Sequence, residues 1–380
     1  MPENSYTQDL DLLRGQVDVI ELKASDDAKV AVAPTYQGRV MTSTLAGSDG
    51  PSFGWLNAGF IASGRSDKTF NNYGGEDRFW LGPEAGQFGL WFNNGQPFDL
   101  AHWKTPPGFN DGCFQVLAVG DAFVDMIRKF QVVNYAGTEF TCRVKRQVRL
   151  IDAARAAELL RTPVDGLDIV AFESVNELEN AGHAPWKRDS GMLSIWILGQ
   201  YKPLPRGKVI VPFKPGGEAH LGPAATTDYF GSLPPDRCTI AEDYLLFTCD
   251  GRYRSKIGIS PLRTRDLVAS YDADASMLTI VQFNLPAGAE KLPYVNSLWR
   301  IQDDPFAGDV INSYNDGEAQ PGAGQLGPFY EIETSSPAAS LSPGESITHI
   351  HRTMHFAGNR RRLASLAQAV LGVDIGRLFC

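Results

Sequence analysis

The sequence predicts an all-β protein in which large sheets pack face to face. Short runs that alternate apolar and polar residues recur from residue 17 to residue 356, and this alternation is typical of strands. The 38 glycines and 24 prolines supply frequent turns between the runs. Two segments, residues 152–162 and 359–372, have a helical pattern. Since strands bury their apolar faces against a second layer, we expect a β-sandwich or a pair of large packed sheets.

The length and composition are those of a globular protein. The chain has 380 residues, enough to bury a large core, and its 43% hydrophobic and 21% charged residues are ordinary values. The sequence shows no internal repeat of fixed short period and no low-complexity linker. We therefore expect a single domain over residues 1–380.

The net negative charge and the absence of long apolar stretches limit the classes of partner that we expect. Asp and Glu number 44 against 35 Lys and Arg, for a net charge of -9. A general nucleic-acid binder needs a basic surface to neutralise phosphates, so we expect no nucleic-acid partner. No apolar stretch is long enough to cross a bilayer, and residues 1–15 lack the basic start and apolar run of a secretory signal. We expect no membrane partner and a cytoplasmic protein.

The five cysteines indicate free thiols. Their number is odd and no CxxC pair occurs, which is atypical of a disulfide framework or a zinc site.

The first part of the chain contains strands and then a glycine- and aromatic-rich segment. Residues 17–45 alternate like strands, and residues 71–92 interleave five glycines with six aromatic residues. Glycines let the backbone approach a flat ligand while the rings supply apolar area. The segment lacks the lysine of a phosphate-binding loop. Its candidate site residues are Arg78, Trp80 and Glu84.

An antiparallel meander and a short helix come next. Residues 114–151 form three strand-like runs with turns at glycines. In residues 152–162, Asp152 is a suitable N-cap and Pro163 ends the helix.

The middle of the chain holds two polar segments between strands. Residues 170–199 begin and end as strands around a loop with His183, Trp186 and Lys187. Strand-like runs resume up to residue 285. Residues 294–317 are again polar and aromatic, and Asn312 and Asp316 are side chains of the kind that bind hydroxyl groups, although Asn-Asp-Gly is also an ordinary turn.

Residues 330–356 are the densest in titratable groups. Glu331 and Glu333 are two apart, and His349, His351 and His355 share one parity, so on strands each set faces one side. A turn-forming run at residues 341–345 separates the two sets, which predicts two strands that bring the carboxylates near the histidines. Such a cluster is an acid–base site, a metal site that uses the HxH pair, or a polar strand face in solvent.

At the C-terminus, residues 359–372 predict an amphipathic helix. Its apolar positions include Leu363, Leu366, Val370 and Leu371. We expect it to cover one end of a sheet.

Two motifs carry a family resemblance. The run IETSSPAASLSPGESITHIHRTMHF resembles the C-terminal strand pair of the galactose mutarotase (aldose 1-epimerase) superfamily, and GGEDRFWLGPE is similar to a pattern of uncharacterised bacterial proteins grouped with it. Over the whole chain the resemblance is to such an uncharacterised family more than to a true epimerase. It implies a β-supersandwich of two large, mainly antiparallel sheets and a sugar or oligosaccharide ligand.

The resemblance also implies roles for particular residues. Mutarotases use a glutamate as general base and a histidine as general acid. Glu333 matches the base by its position before the Pro and the LSPGE turn, with Glu331 facing the same way. His183, in NAGHAPW, is the nearest counterpart of the acid, although the family's HPYFNL sequence is absent. Arg78 corresponds to the substrate-binding arginine.

These observations lead to three functional hypotheses. The first is a sugar-binding protein that epimerises sugars or interconverts anomers without a cofactor or metal; the others are a non-catalytic glycan-binding module and a polysaccharide lyase or hydrolase. Tryptophans such as Trp80 and Trp186 suit a sugar platform or a protein core. The predicted catalytic residues are Glu333, His183 and Glu331, and the predicted substrate-binding residues are Arg78, Trp80, Glu84, Trp186, Lys187, His349, His351, Asn312 and Asp316.

Overall fold

The computed structural model describes residues 5–320 and 322–379, and these consist mainly of strands. The strands are β1 (Ile20–Lys23), β2 (Lys29–Ala33), β3 (Arg39–Thr44), β4 (Arg78–Gly82), β5 (Gln115–Gly120), β6 (Phe123–Val133), β7 (Glu139–Leu150), β8 (Leu167–Asn180), β9 (Ser194–Tyr201), β10 (Lys208–Pro212), β11 (Cys238–Ile240), β12 (Tyr244–Thr248), β13 (Ser255–Ile259), β14 (Leu267–Asp272), β15 (Met277–Phe283), β16 (Ile311–Asn315), β17 (Tyr330–Ser335) and β18 (Ser346–Gly358). The helices are α1 (Tyr6–Arg14), α2 (Ala58–Ala62), α3 (Pro107–Asn110), α4 (Ala153–Leu160), α5 (Glu218–Leu221), α6 (Arg360–Leu371) and α7 (Ile375–Leu378), with a 3-10 turn at Ala289–Lys291.

In the described part of the chain, the strands form three antiparallel sheets. The large sheet has ten strands in the order β11-β12-β10-β14-β15-β18-β8-β7-β6-β5. The sheet that we call the site sheet has five, in the order β13-β16-β17-β9-β4, and the small sheet is β1-β2-β3. The prediction of an all-β fold with large antiparallel sheets and a few short helices is confirmed.

The main core lies between the large sheet and the site sheet. Val144 and Phe172 of the large sheet belong to the same buried cluster as Phe79 and Ile197 of the site sheet. A second cluster joins Ile332 of β17 to strands β10, β12, β14 and β15. The alternating apolar residues of both sheets therefore face each other, as in other β-sandwiches.

Helices cover the other face of the large sheet. Met354 and Phe356 of β18 pack with Leu363 and Leu366 of α6, and α4 contributes Leu160 to the same cluster. Helix α6 lies within the segment that we predicted as helical, with Asn359 as its N-cap and Gly372 ending it in a left-handed conformation.

The small sheet packs against the sandwich on one face and against helices on the other. Val30 and Val32 of β2 join the main core, while Met41 of β3 contacts Leu13 of α1 and Ile61 of α2 within a separate cluster.

Strand β18 contributes a buried polar layer between the sheets. The hydroxyl of Thr334 on β17 lies 2.7 Å from Nε2 of His349 and 2.8 Å from Nδ1 of His351. Because this hydroxyl has one proton, it donates to one ring and accepts from the other. Burial lowers the pKa of His349 to about 3 and that of His351 to about 4, so both rings are neutral.

The expected meeting of the carboxylates with these histidines does not occur. Thr334 faces the large sheet, so its neighbour Glu333 projects from the opposite face of β17, where it binds residues of the site sheet. Strands β17 and β18 belong to different sheets. The histidines thus lie inside the sandwich and the glutamates lie on its outer side.

We predict that the neutral histidines make the fold sensitive to acid. An unfolded histidine titrates near pH 6.5, so between that pH and the lowered folded pKa the unfolded state binds more protons. The free energy of unfolding should therefore decrease as the pH falls from about 6.5 to 4, by about 1.4 kcal/mol per pH unit for each histidine. Urea unfolding of the wild type and of His351→Gln at several pH values measures this slope.

For His351→Gln, the free energy of unfolding should change less steeply with pH than for the wild type. The matched control His220→Gln, at an exposed histidine, should keep the wild-type slope. Parallel curves for the wild type and His351→Gln would contradict the assignment.

Candidate functional site

A cavity of about 350 Å³ lies on the outer face of the site sheet. Lys256, Tyr314, Glu331 and Gln200 are successive register partners across β13, β16, β17 and β9. Directly paired residues of an antiparallel sheet project from the same face, and all four line the cavity. This row forms one side of its floor.

A second row continues the floor. Asn312 on β16, Glu333 on β17, Leu198 on β9 and Arg78 on β4 are register partners. Arg78 and Leu198 line the cavity, whereas Glu333 is fully buried between its neighbours.

Two buried ion pairs hold the carboxylates of β17. Nη2 of Arg78 lies 2.9 Å from Oε1 of Glu331, and Nζ of Lys256 lies 3.0 Å from Oε2 of Glu333. The indole N–H of Trp196 donates to the same oxygen of Glu333 over 2.9 Å. A carboxylate out of water requires such partners, so each glutamate depends on a cation from an edge strand of the sheet.

Glu331 titrates near neutrality. Burial raises its pKa to about 7, against the lowering effect of Arg78, and the charge of Glu333 raises it further. Burial also raises the pKa of Glu84, which lines the cavity and accepts the indole N–H of Trp103 over 2.7 Å. The cavity therefore holds two carboxyl groups suited to proton transfer.

Several polar atoms of the floor have no hydrogen-bond partner within the described residues. They include Nε and Nη1 of Arg78 and Oε1 of Glu333, all buried. A buried donor or acceptor without a partner is costly. Because Arg78 lines the cavity, its two N–H groups are candidates for contacts with a polar ligand.

Aromatic rings surround the polar floor. The guanidinium carbon of Arg78 lies 3.9 Å from the centre of the Trp80 ring, and Trp80 stands edge-on to Trp196 at 5.5 Å. The other rings that line the cavity are Phe70, Trp103, Tyr229, Phe230, Trp299, Tyr314 and Phe329. A polar floor under aromatic walls suits a ligand with hydroxyl groups and apolar ring faces.

The sequence matches the model of a family of unknown function (DUF6786) over residues 4–378. The chain belongs to this family. No curated protein matches the sequence.

Solved structures show the fold. A candidate aldose 1-epimerase from Escherichia coli K12 superposes with a TM-score of 0.53 at 12% identity, covering 89% of this chain and 98% of that one. A Synechocystis protein superposes with a TM-score of 0.51 at 11% identity, covering 90% and 96%. The fold is that of the galactose mutarotase-like sandwiches, and the resemblance of an uncharacterised family to that superfamily is confirmed.

The structure brings together part of the predicted site. Arg78, Trp80, Glu84, Glu331 and Asp316 line the cavity. Glu333 lies in the floor, and Asn312 lies beside it, where its amide donates to the Tyr229 hydroxyl over 2.9 Å.

The other predicted residues lie elsewhere. His183 and Lys187 are exposed in the loop after β8, and Trp186 is buried against Phe140 in the core. His349 and His351 are between the sheets. None of the six histidines, all within the described residues, lines the cavity.

Sequence reasoning missed Lys256 and Trp196. Both stand on strands that are buried along their whole length, and each is 77 or more residues from its partner Glu333. The single lysine in the strand-like run RSKIGI is a weak signal, because it is a polar residue on an otherwise buried strand.

The remaining sequence-based expectations concern metals, thiols and membranes. Within residues 5–320 and 322–379, no group of three or more His, Cys, Asp or Glu residues is placed to hold a metal ion. Cys113, Cys142, Cys238 and Cys249 are free thiols, while Cys380 is outside the described residues. No helix in the described ranges is long and apolar enough to span a membrane.

We predict that the buried pair of Lys256 and Glu333 is coupled. Lys256→Met should lower the free energy of unfolding by about 3 kcal/mol, because it leaves a buried carboxylate without its cation. The double variant Lys256→Met/Glu333→Gln should recover much of this loss. Urea unfolding of the two single variants and the double variant gives the coupling energy.

The exposed pair of Arg155 and Glu158 on α4 is the control, and Arg155→Met should leave the unfolding midpoint unchanged. Strictly additive effects of the two changes at Lys256 and Glu333 would show that the pair is not coupled.

Proposed function

We propose that this protein binds a sugar in the cavity of the site sheet and interconverts its anomers by proton transfer. The observation that carries the proposal is Glu331, a cavity carboxyl group with a pKa of about 7 beside Arg78. General acid–base catalysis is most effective when the pKa of the group is close to the working pH.

The distribution of histidines supports carboxyl groups as the proton carriers. Because His183 is exposed in a loop and the remaining histidines do not line the cavity, the proposed groups that exchange protons with a bound sugar are Glu331 and Glu84. Asp316 also lines the cavity, but both of its oxygens accept hydrogen bonds from the protein. Glu331 has the pKa near neutrality and is the proposed acid, while Glu84 is the proposed base. Glu333 as the base, which the family resemblance implies, stays a prediction; its carboxylate is covered and holds Lys256.

The proposed reaction opens and closes the sugar ring. The base removes the proton of the anomeric hydroxyl, the electrons of that O–H bond form the carbonyl at C1, and the bond from C1 to the ring oxygen breaks. The ring oxygen takes the proton of the acid. Rotation about the C1–C2 bond and the reverse steps give the other anomer. Arg78 and Lys256 stabilise the negative charge that develops on oxygen.

We predict that Glu331→Gln lowers the rate of anomer interconversion by at least about 100-fold, the usual contribution of a general acid. Because burial raises the pKa of Glu331 to about 7, the wild-type kcat/KM should fall as the pH rises through that value. Polarimetry or NMR exchange with a panel of aldoses measures both effects.

The matched control is Glu290→Gln, at an exposed glutamate, which should keep the wild-type rate. Glu84→Gln and Glu333→Gln distinguish the two possible bases. Equal rates for Glu331→Gln and the wild type would exclude Glu331 as the acid.

A non-catalytic sugar-binding module is the second candidate, favoured by the number of aromatic rings on the cavity wall. We predict that Trp299→Ala, at a half-buried ring that lines the cavity, weakens sugar binding about fivefold by removing about 1 kcal/mol of ring contact. Titration calorimetry measures the Kd.

Trp186→Phe is the contrasting variant. It should lower the melting temperature without changing the Kd, because Trp186 lies in the core. Saturable binding without any turnover would favour the module over the enzyme, and an unchanged Kd for Trp299→Ala would remove this ring from the binding surface.

A further inference from the structure

The cavity contains a third cation, Arg254. It stands one residue before β13 and two before Lys256, so it projects from the cavity face, and it lines the cavity. Its guanidinium carbon lies 3.7 Å from the centre of the Phe230 ring and 5.8 Å from that of Trp299. Guanidinium groups stacked on rings keep their N–H edge free for a planar partner.

Arg254 forms no ion pair with a carboxylate of the described residues. In residues 5–320 and 322–379, no ion pair or hydrogen bond of its guanidinium is found, whereas Arg78 is paired with Glu331 and Lys256 with Glu333.

Asp316 lines the same cavity, but both of its oxygens already accept hydrogen bonds. Oδ1 accepts the hydroxyl of Tyr314 over 2.6 Å and Oδ2 accepts the amide of Gly327 over 2.9 Å. Burial raises the pKa of Asp316, against the lowering effect of the Arg254 charge, so the two groups interact without a direct ion pair. This part of the cavity therefore combines apolar rings with a cation that forms no hydrogen bond or ion pair with a carboxylate of the described residues.

We propose that Arg254 binds the carboxylate of an acidic sugar, so that the ligand class of this cavity is the uronic acids and their glycosides. The inference rests on the proposed function and adds the charge of the ligand to it. A carboxylate matches the planar N–H edge of a guanidinium in a bidentate pair. A sugar phosphate fits less well, since the other two cations of the cavity are already paired.

The test is calorimetric titration of the full chain at pH 7.5 with D-glucuronate and D-galacturonate. The methyl esters of both acids keep the sugar ring and remove the charge. We expect a uronate to bind about tenfold or more tightly than its ester. Arg254→Gln should reduce the affinity for the uronate to that for the ester and leave the ester unchanged.

Two further variants serve as controls. Arg252→Gln changes an exposed arginine two residues away and should preserve the preference for the uronate. Arg254→Lys keeps the charge and should retain part of the preference, which shows that a loss in Arg254→Gln does not come from misfolding.

The outcomes separate this inference from the proposed function. Esters that bind as tightly as the uronates, or an Arg254→Gln variant that weakens both alike, would overturn the inference and leave sugar binding intact. Glucose 6-phosphate that binds more tightly than either uronate would overturn the choice of a carboxylate. Failure of every sugar to bind would refute the proposed function and this inference together.

Discussion

The site depends on the compensation of two carboxylates that the sheet buries side by side. Strand β17 alternates, so Ile332 and Thr334 enter the sandwich while Glu331 and Glu333 project from its outer face. Each carboxylate is stable there because a cation reaches it from another strand. Arg78 comes from β4 and Lys256 from β13, the two edges of the site sheet. The pairs therefore bind the edges of this sheet to its centre, and they fix the positions of the groups that face the cavity.

Burial has opposite effects on the pKa values of the histidines between the sheets and of the Glu331 carboxyl group on the outer face of the site sheet. Between the sheets, His349 and His351 share one hydroxyl and their pKa values fall to about 3 and 4, so they are neutral and structural. On the outer face, burial and the neighbouring Glu333 raise the pKa of Glu331 to about 7. Desolvation disfavours the charged form in both places. Burial therefore raises the pKa of the Glu331 carboxyl group towards neutral pH and lowers the pKa values of the two histidines away from it.

Local pattern determined how much of this could be predicted. The period of two identified the strands and correctly placed Glu331 with Glu333 on one face, because that parity is a property of the strand itself. The period of two does not determine which sheet, or which face of it, the glutamates and the histidines join. The prediction that the carboxylates lie near the histidines is therefore wrong. The sheet that a strand joins depends on its tertiary pairing, and β17 and β18 belong to different sheets. Lys256 is 77 residues from Glu333, so the local sequence around Lys256 could not reveal this pairing.

The fold and the chemistry of the cavity can thus be separated. The sandwich of a candidate aldose 1-epimerase is present at 12% identity, but the residues that line this cavity include three cations, several carboxyl groups and none of the chain's histidines. In the proposed function a carboxyl group therefore carries the proton, and the cations lower the energy of a negatively charged oxygen. A shared fold does not specify the groups in a cavity, so an activity has to be argued from Glu331, Arg78 and Lys256 rather than from the fold.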